Sequence, residues 1–234
     1  MKRFWQQAEV VAADGPGWGV ALDGRPLRTP ARALLHVPTP ALAAAIAAEW
    51  QQVAGEVRPG ALPLTGLANA AIDRAGPELA AALAAYGESD LLCYRADAPA
   101  ALVARQAAEW DPPLAWAGAR FSIRLAVTAG ISHVPQPAAT LEQLRGAVAA
   151  LDAFRLAGLH PIVTVTGSLL LGLALLEGAM TAEAAWRAGA LDELWQAEHW
   201  GDDPLAARAR AQRRAALMAG AQFLTLLDAR APPG

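Results

Sequence analysis

The densest group of residues that could do chemistry lies near the end of the chain, in the stretch LDELWQAEHWGDD that begins at Leu191. On a helix, Glu193 projects into an apolar stripe and Trp200 lies beside it. That stripe consists of Trp186, Ala190, Leu194 and Ala197. A carboxylate among apolar side chains costs free energy unless it is paired. Two roles are therefore open: Glu193 forms an internal ion pair with an arginine such as Arg208 or Arg210, or it receives a cation from a partner protein.

Tryptophan is the dominant aromatic residue, with eight copies against four phenylalanines and two tyrosines. Trp195 and Trp200 lie among three acids of the same stretch, Asp192, Glu193 and Glu198. Tryptophan beside charged groups is typical of the residues that dominate protein–protein binding energy. The opposite, polar side of the predicted helix carries Asp192, Gln196 and His199. The stretch therefore indicates a binding surface, although the residues alone leave the internal ion pair equally open.

No pattern in the chain matches a catalytic or metal centre. A zinc site needs three or four converging ligands, and none of the four histidines pairs with another at ligand spacing. The single cysteine, Cys93, lies in an apolar run, where a free cysteine is usually an inert small hydrophobe. The sequence therefore predicts a protein without metal, cofactor or enzymatic activity. The alternative is a cysteine-dependent hydrolase, which needs a histidine within reach of Cys93 and an accessible thiol.

The charge distribution argues against nucleic-acid binding. The net charge is −3 at pH 7, and the arginines are scattered along the chain. A surface that follows phosphates needs clustered positive charge. The densest basic run spreads around a helix axis instead of forming one stripe, and it consists of Arg208, Arg210, Arg213 and Arg214.

One segment could nominally cross a membrane. Residues 156–176 contain no charged side chain, and 21 residues are enough to span a bilayer. However, His160 and Pro161 interrupt the segment, and no cluster of lysine or arginine flanks it. We therefore expect a buried helix and no membrane insertion. Residues 1–7 also lack the apolar core of a signal peptide.

The spacing of apolar residues changes near Thr39, from short strand-like runs to a helical period. Before this point, turn formers such as Asp23–Gly24 separate the runs, as in an antiparallel meander. Thr39 and Pro40 then suit the N-cap and first position of a helix. The predicted fold class is α+β, with a small antiparallel β domain over 1–38 and a larger, mainly helical domain over 39–234.

The helical part is predicted to contain one loop and one short β interruption. Pro112 and Pro113 predict a loop because proline has no N–H to donate. The β interruption falls near residues 122–134, where Ser122–Val127 and Ile131–Val134 have strand-like patterns. The predicted helices span about 39–55, 65–74, 77–86, 99–110, 138–156, 161–176, 181–200 and 204–229.

Seven stretches occur in a characteristic order over almost the whole chain. They are RPLRTP (Arg25–Pro30), AIAAEWQ (Ala45–Gln51), LPLTGLANAAID (Leu62–Asp73), SDLLCYRA (Ser89–Ala96), WDPPLAW (Trp110–Trp116), TGSLLLGLALLEG (Thr166–Gly178) and LDELWQAEHWGDD (Leu191–Asp203). Together they resemble the ATP synthase assembly chaperones of the ATP-twelve family, which occur in mitochondria and alphaproteobacteria. A single such motif would be weak evidence of the resemblance, whereas seven motifs in the same order are specific for the family.

The resemblance implies a chaperone without enzymatic activity. Such a protein holds the newly made alpha subunit of the ATP synthase F1 sector until that subunit pairs with beta. The family fold has a small N-terminal β domain and a larger helical domain. The family's essential acid lies in the last stretch, so Glu193 is the first candidate, followed by Asp192 and Glu198. Trp195 and Trp200 complete the expected partner-binding residues.

Two further expectations follow from the resemblance. Leu205 stands where the family pattern would have an acidic residue after the last motif, so an extended acidic patch is not expected. Mitochondrial members carry a transit segment, whereas this chain starts directly at the β domain. A bacterial cytoplasmic location is therefore expected.

Overall fold

A four-stranded antiparallel sheet precedes a mainly helical region, so the predicted α+β class is confirmed. The computed structural model describes residues 2–13, 15–58, 60–130 and 132–229. The strands are β1 (Ala8–Ala12), β2 (Trp18–Leu22), β3 (Arg25–Pro26), β4 (His36–Val37), β5 (Tyr94–Arg95) and β6 (Thr128–Ala129). The helices are α1 (Pro40–Gln51), α2 (Pro63–Asp73), α3 (Pro77–Ala84), α4 (Ala100–Phe121), α5 (Ala138–Ala149), α6 (Ala153–Thr166), α7 (Leu169–Leu176), α8 (Ala182–Gly189), α9 (Leu191–Trp200) and α10 (Pro204–Asp228).

The sheet is organised around β2, which pairs with β1, β3 and β4. Asp23 and Gly24 both have positive φ, 48° and 74°, as a two-residue type I′ hairpin turn requires. The turn predicted from this pair therefore closes the β2–β3 hairpin. Gly17 also needs to be glycine, because its φ is 116° and a Cβ there would lie 2.9 Å from the carbonyl oxygen of Val37. The turn formers Asp14, Gly15, Pro16 and Gly17 also predict a turn before β2, and Asp14 lies outside the described residues.

The chain forms two compact units. The first contains the sheet together with α1 and α2, and the second contains most of the other helices. Their residues are 1–76, 152–158 and 222–234 for the first unit, and 77–151 and 159–221 for the second.

Two tryptophans organise the core of the first unit. The Trp5 indole N–H donates to the carbonyl oxygen of Trp50 at 3.1 Å, and the two rings meet edge to face with centroids 5.1 Å apart. The Trp50 indole N–H in turn donates to the Thr65 hydroxyl at 3.1 Å. Both buried indoles are thus satisfied, and they join the N-terminal segment to α1 and α2.

A buried carboxylate joins two parts of the second unit. Asp90 is fully buried and accepts hydrogen bonds from Ser168 Oγ (2.7 Å), Leu170 N (3.0 Å) and Leu92 N (3.1 Å). Ser168 caps α7, since its Oγ accepts from Leu171 N at 3.0 Å. Asp90 therefore links the short 3₁₀ helix that starts at Leu91 to the start of α7.

The apolar segment 156–176 is buried as predicted, but it forms two helices instead of one. Gly167 adopts a left-handed conformation with φ of 69°, which ends α6, and Ser168 then caps α7. In the part of the chain that the structure describes, no helix is both long enough and apolar enough to cross a membrane.

The loop predicted at Pro112 and Pro113 is wrong, because α4 continues through both residues. Proline removes two amide donors from the helix, which is unfavourable. However, Trp110, Pro113 and Ala117 are buried on one side of α4, so tertiary packing keeps this helix continuous.

The two strands predicted near 122–134 are also wrong. Among the described residues of this region, the only strand is β6, which covers Thr128–Ala129 and pairs in parallel with β5. Neither Ser122–Val127 nor the described part of Ile131–Val134 is a strand, and Ile131 itself lies outside the described residues.

Side chains replace the expected strand partners in this region. The Gln136 amide accepts from Ala126 N and donates to Ala126 O, both at 2.9 Å. The Thr140 hydroxyl donates to the Arg124 carbonyl at 2.7 Å. These backbone groups therefore have hydrogen-bond partners without a neighbouring strand. The periodicity of the sequence cannot distinguish such side-chain partners from strand pairing.

Candidate functional site

Helix α9 carries all five residues expected to bind a partner. The single helix predicted over 181–200 is in fact two helices, α8 and α9, which meet at Ala190. Ala190 has φ of −100° and ψ of 8°, outside helical values. The predicted apolar stripe is therefore divided, with Trp186 in α8 and Leu194 in α9.

Glu193 pairs with two arginines of α10. Its Oε1 accepts a hydrogen bond from Arg210 at 3.3 Å, and its Oε2 accepts one from Arg213. Arg210 also pairs with Asp202 in the loop before α10 and is largely buried. The internal ion pair considered for Glu193 thus exists with Arg210, while 34% of the Glu193 side chain stays exposed.

Asp192, predicted on the polar side opposite the apolar stripe, contacts α4. Its Oδ1 accepts from the Gln106 side-chain amide at 2.7 Å. The Oε1 of Gln106 accepts from Ala96 N at 2.8 Å, and the residue is almost completely buried. Asp192 therefore satisfies a buried amide and holds the first turn of α9 against α4.

Glu198 forms a two-bond ion pair with Arg105 of α4, with distances of 2.6 and 3.0 Å. These hydrogen bonds lower the pKa of Glu198, so the pair is charged at neutral pH. The Arg105 guanidinium also lies 5.9 Å from the centre of the Trp195 ring. Trp195 stacks on His199 with ring centroids 4.0 Å apart. The middle of α9 is thus a cluster of charged and aromatic groups.

The C-terminal end of α9 exposes large apolar side chains. Trp200 is 77% exposed, and so is Leu205 in the first turn of α10. Trp200 follows Glu198 by two residues, so apolar area and a charged pair occur in one short segment. Exposed tryptophan beside charge can bind another protein, and the cluster holds no activated nucleophile.

Cys93 cannot act as the nucleophile of a hydrolase. The residue is 1% exposed, and burial, with a smaller contribution from the charge of Asp90, raises the pKa of its thiol to about 12. The thiol is therefore neutral and inaccessible, which removes the alternative based on it. Among the residues that the structure describes, no three histidine, cysteine or acidic side chains converge as a metal site.

The sequence pointed to α9 but not to its partners on α4. Arg105 and Gln106 contact acids that follow them by 93 and 86 residues. In the sequence, Arg213, the second partner of Glu193, stands out only as a member of the basic run 208–214. No local pattern signals such pairs.

Comparison with known proteins identifies the family. A family model described as "ATP12 chaperone protein" matches residues 2–118. The crystal structure of Atp12 from Paracoccus denitrificans matches with a TM-score of 0.90 and 46% identity, over 97% of this chain and 98% of that chain. This chain belongs to the ATP12 chaperone family. The match of the family model ends before α9, whereas the structural match to Atp12 covers 97% of this chain.

Other ATP12-family relatives agree with this assignment. A point mutant of P. denitrificans Atp12p matches equally well, with a TM-score of 0.90 and 46% identity over 97% of both chains. The Atu1473 protein of Agrobacterium tumefaciens, named a putative chaperone, has a TM-score of 0.92 and 38% identity over 97% of this chain and 86% of its own. The mitochondrial protein atp12 of Schizosaccharomyces pombe is 26% identical, over 86% of this chain and 74% of its own length.

Proposed function

We propose that this ATP12-family chain is an assembly chaperone that binds the unassembled alpha subunit of the ATP synthase F1 sector and holds it until it pairs with beta. The chaperone names of its relatives and the seven collinear stretches support this role. The observation that carries the proposal is the exposed apolar end of α9, Trp200 and Leu205, in the same short segment as Glu198, which pairs with Arg105. The proposed place of action is the bacterial cytoplasm, without nucleic acid, membrane insertion or cofactor.

The physical requirements of such a chaperone fit this surface. An unassembled subunit exposes apolar area that its partner would cover, and such area aggregates. A chaperone must cover part of that area and later yield it to the partner. Exposed aromatic and leucine side chains supply apolar contact, and a charged pair orients the client without adding much affinity. No catalytic step is required.

The five α9 residues have two kinds of role in this proposal. Trp195, Glu198 and Trp200 contact the client directly. Asp192 and Glu193 hold α9 against α4 and α10, and the exposed part of the Glu193 carboxylate also meets a cation of the client.

Replacing Trp200 by alanine is expected to weaken binding of the alpha subunit about 30-fold, because an interfacial tryptophan of this kind contributes about 2 kcal/mol. The free energy of unfolding should change by less than about 0.5 kcal/mol, since the indole is mostly exposed. Suppression of alpha-subunit aggregation by light scattering, together with thermal unfolding, measures both quantities.

The matched control for this experiment is Phe4→Ala, an exposed aromatic residue (63%) in the other compact unit. This variant should suppress aggregation as well as the unchanged chain does. If Trp200→Ala also keeps full activity, the client does not bind at the end of α9.

Glu193→Gln is expected to lower the free energy of unfolding by about 1–2 kcal/mol, between the values for exposed and buried ion pairs. The loss is limited because Arg210 keeps Asp202 as a partner. Client binding should fall as well, and Glu193→Lys should weaken it more than Glu193→Gln because like charges repel at a docking surface. Client binding of the two variants is measured at a temperature at which every variant is folded.

Arg213→Gln serves as the control, since it removes one of the two arginine partners of Glu193 and keeps the Glu193 carboxylate. Reduced stability with unchanged client binding in both glutamate variants would assign Glu193 to the scaffold alone. Full stability with undiminished chaperoning would mean that the acid that matters is Asp192 or Glu198.

A further inference from the structure

A concave surface lies on α4, and its lining includes none of the five residues expected to bind a partner. It is a cleft of about 240 Å³ whose walls come from α4, from the end of α7 and the turn that follows it, and from α8. The lining consists mainly of apolar residues, four of them alanines. The larger residues are Pro112, Pro113, Trp116 and Met180. The WDPPLAW stretch, which the α9 surface does not use, thus forms much of this cleft.

Glu109 is the one charged residue of this lining. Its charge acts on Arg105, one turn earlier, but Arg105 is held by Glu198. Within the part of the chain that the structure describes, no group donates a hydrogen bond to the Glu109 carboxylate or forms an ion pair with it. The Glu109 side chain is partly exposed, so its carboxylate is open to a cation supplied by another protein.

The two prolines leave two backbone carbonyls of α4 without their usual helical donors. In an α-helix the carbonyl of residue i accepts from the amide of residue i+4. Pro112 and Pro113 have no amide hydrogen, so the carbonyls of Ala108 and Glu109 lack these donors. Both residues line the cleft. Two backbone carbonyls without their helical donors and one carboxylate therefore belong to residues that line the cleft.

We propose that this cleft binds a lysine or arginine side chain of the client protein, with the charged head at Glu109 and the aliphatic stem against Trp116 and Pro112. The two ends of such a side chain match the acidic and apolar parts of the cleft. This inference rests on the proposed function for the identity of the client. Because Arg105 and Glu109 are one turn apart on α4, the cleft continues the α9 surface, and one client segment reaches both.

Short peptides test the recognition chemistry without the alpha subunit. Two-dimensional NMR spectra follow the tryptophan indole signals during titration with Ac-Leu-Arg-Leu-NH2, Ac-Leu-Lys-Leu-NH2 and Ac-Leu-Gln-Leu-NH2. The two basic peptides should shift the Trp116 signal and bind about tenfold more tightly than the glutamine peptide. Equal binding of all three peptides, or shifts that leave Trp116 unaffected, would overturn the proposal.

Two variants of the full chain test the two halves of the cleft. Glu109→Gln should abolish the preference for basic peptides, and Ala108→Phe should block all three peptides by filling the space. Ala108 is exposed on α4, so the larger side chain leaves the core intact. Glu142→Gln, an exposed glutamate of α5 in the same compact unit, is the matched control and should bind like the unchanged chain.

Aggregation assays with the alpha subunit separate this inference from the proposed function. Glu109→Gln should suppress aggregation about tenfold less effectively than Glu142→Gln. If Glu109→Gln is fully active while Trp200→Ala is not, the client binds at α9 only and the cleft proposal is wrong. If the unchanged chain does not protect the alpha subunit but binds the basic peptides, the client assignment fails and the cleft chemistry stands. A dimer that dissociates in Glu109→Gln would identify the occupant as a second copy of this chain, against the proposal.

Discussion

Asp90→Ala is expected to lower the free energy of unfolding by about 4 kcal/mol. The carboxylate is fully buried and accepts hydrogen bonds from Ser168 Oγ, Leu170 N and Leu92 N. Alanine would leave these three buried donors without an acceptor, and each unsatisfied group costs about 1–3 kcal/mol before water enters the space. Chemical denaturation of the full chain measures the loss. Asp203→Ala, which removes an exposed cap from Ala206 N, is the matched control and should cost about 1 kcal/mol.

The pH dependence of the free energy of unfolding tests whether Asp90 is a buried ionisable group. A change in side-chain volume alone would not alter this pH dependence. Burial raises the pKa of Asp90 to about 6, above its ordinary value near 3.8. Between these values the folded chain binds more protons than the unfolded chain, so this group makes stability fall as pH rises from about 4 to 6. The full effect is about 3 kcal/mol. Comparing the unchanged chain with Asp90→Asn should isolate this slope, and identical pH profiles for the two would contradict the burial of an ionisable group here.

Trp110→Ala is expected to cost about 4 kcal/mol of stability, within the usual range for truncating a fully buried tryptophan. Trp110 of α4 is completely buried, and its indole N–H donates to the Ala188 carbonyl in the last turn of α8 at 2.9 Å. That contact lies immediately before Ala190, where α9 begins. The substitution should therefore also weaken client binding at temperatures where the variant is still folded, because it loosens the base of α9.

Trp110→Phe separates packing from the hydrogen bond. Phenylalanine keeps most of the apolar area but leaves the Ala188 carbonyl without its donor, so a loss of about 1–3 kcal/mol is expected. Thermal unfolding and client protection are measured for both variants. A Trp110→Phe variant as unstable as Trp110→Ala would show that the hydrogen bond, and not the buried area, holds α8 against α4.

Local signals in the sequence predicted several elements correctly. Asp23–Gly24 produces a hairpin because both residues tolerate positive φ, which depends on these residues alone. Thr39 accepts a hydrogen bond from Leu42 N and Pro40 begins α1, as a cap and a first-turn proline should. The concentration of acids and tryptophans that marks α9 is likewise visible in the printed sequence.

The predicted helix boundaries are wrong where tertiary packing outweighs the local conformational preference of the residues. The prolines at 112 and 113 remain helical because the side of α4 around Trp110 is buried. The breaks at Gly167 and Ala190 depend on the backbone conformations at those residues, which the apolar periodicity around them does not reveal. Segment 122–127 is not a strand, and its backbone groups at Ala126 and Arg124 are hydrogen-bonded by the side chains of a glutamine and a threonine instead of a neighbouring strand.

The fold class, the family resemblance and the segment with the candidate site can be predicted from the sequence, because they depend on composition, short-range spacing and motif order. The contacts of each acid of α9 depend on tertiary packing. Asp192 meets Gln106, Glu198 meets Arg105, and Glu193 meets two arginines of α10. The physical reason is that an ion pair requires two side chains to converge in space, and residues 93 positions apart converge only after the helices between them have packed.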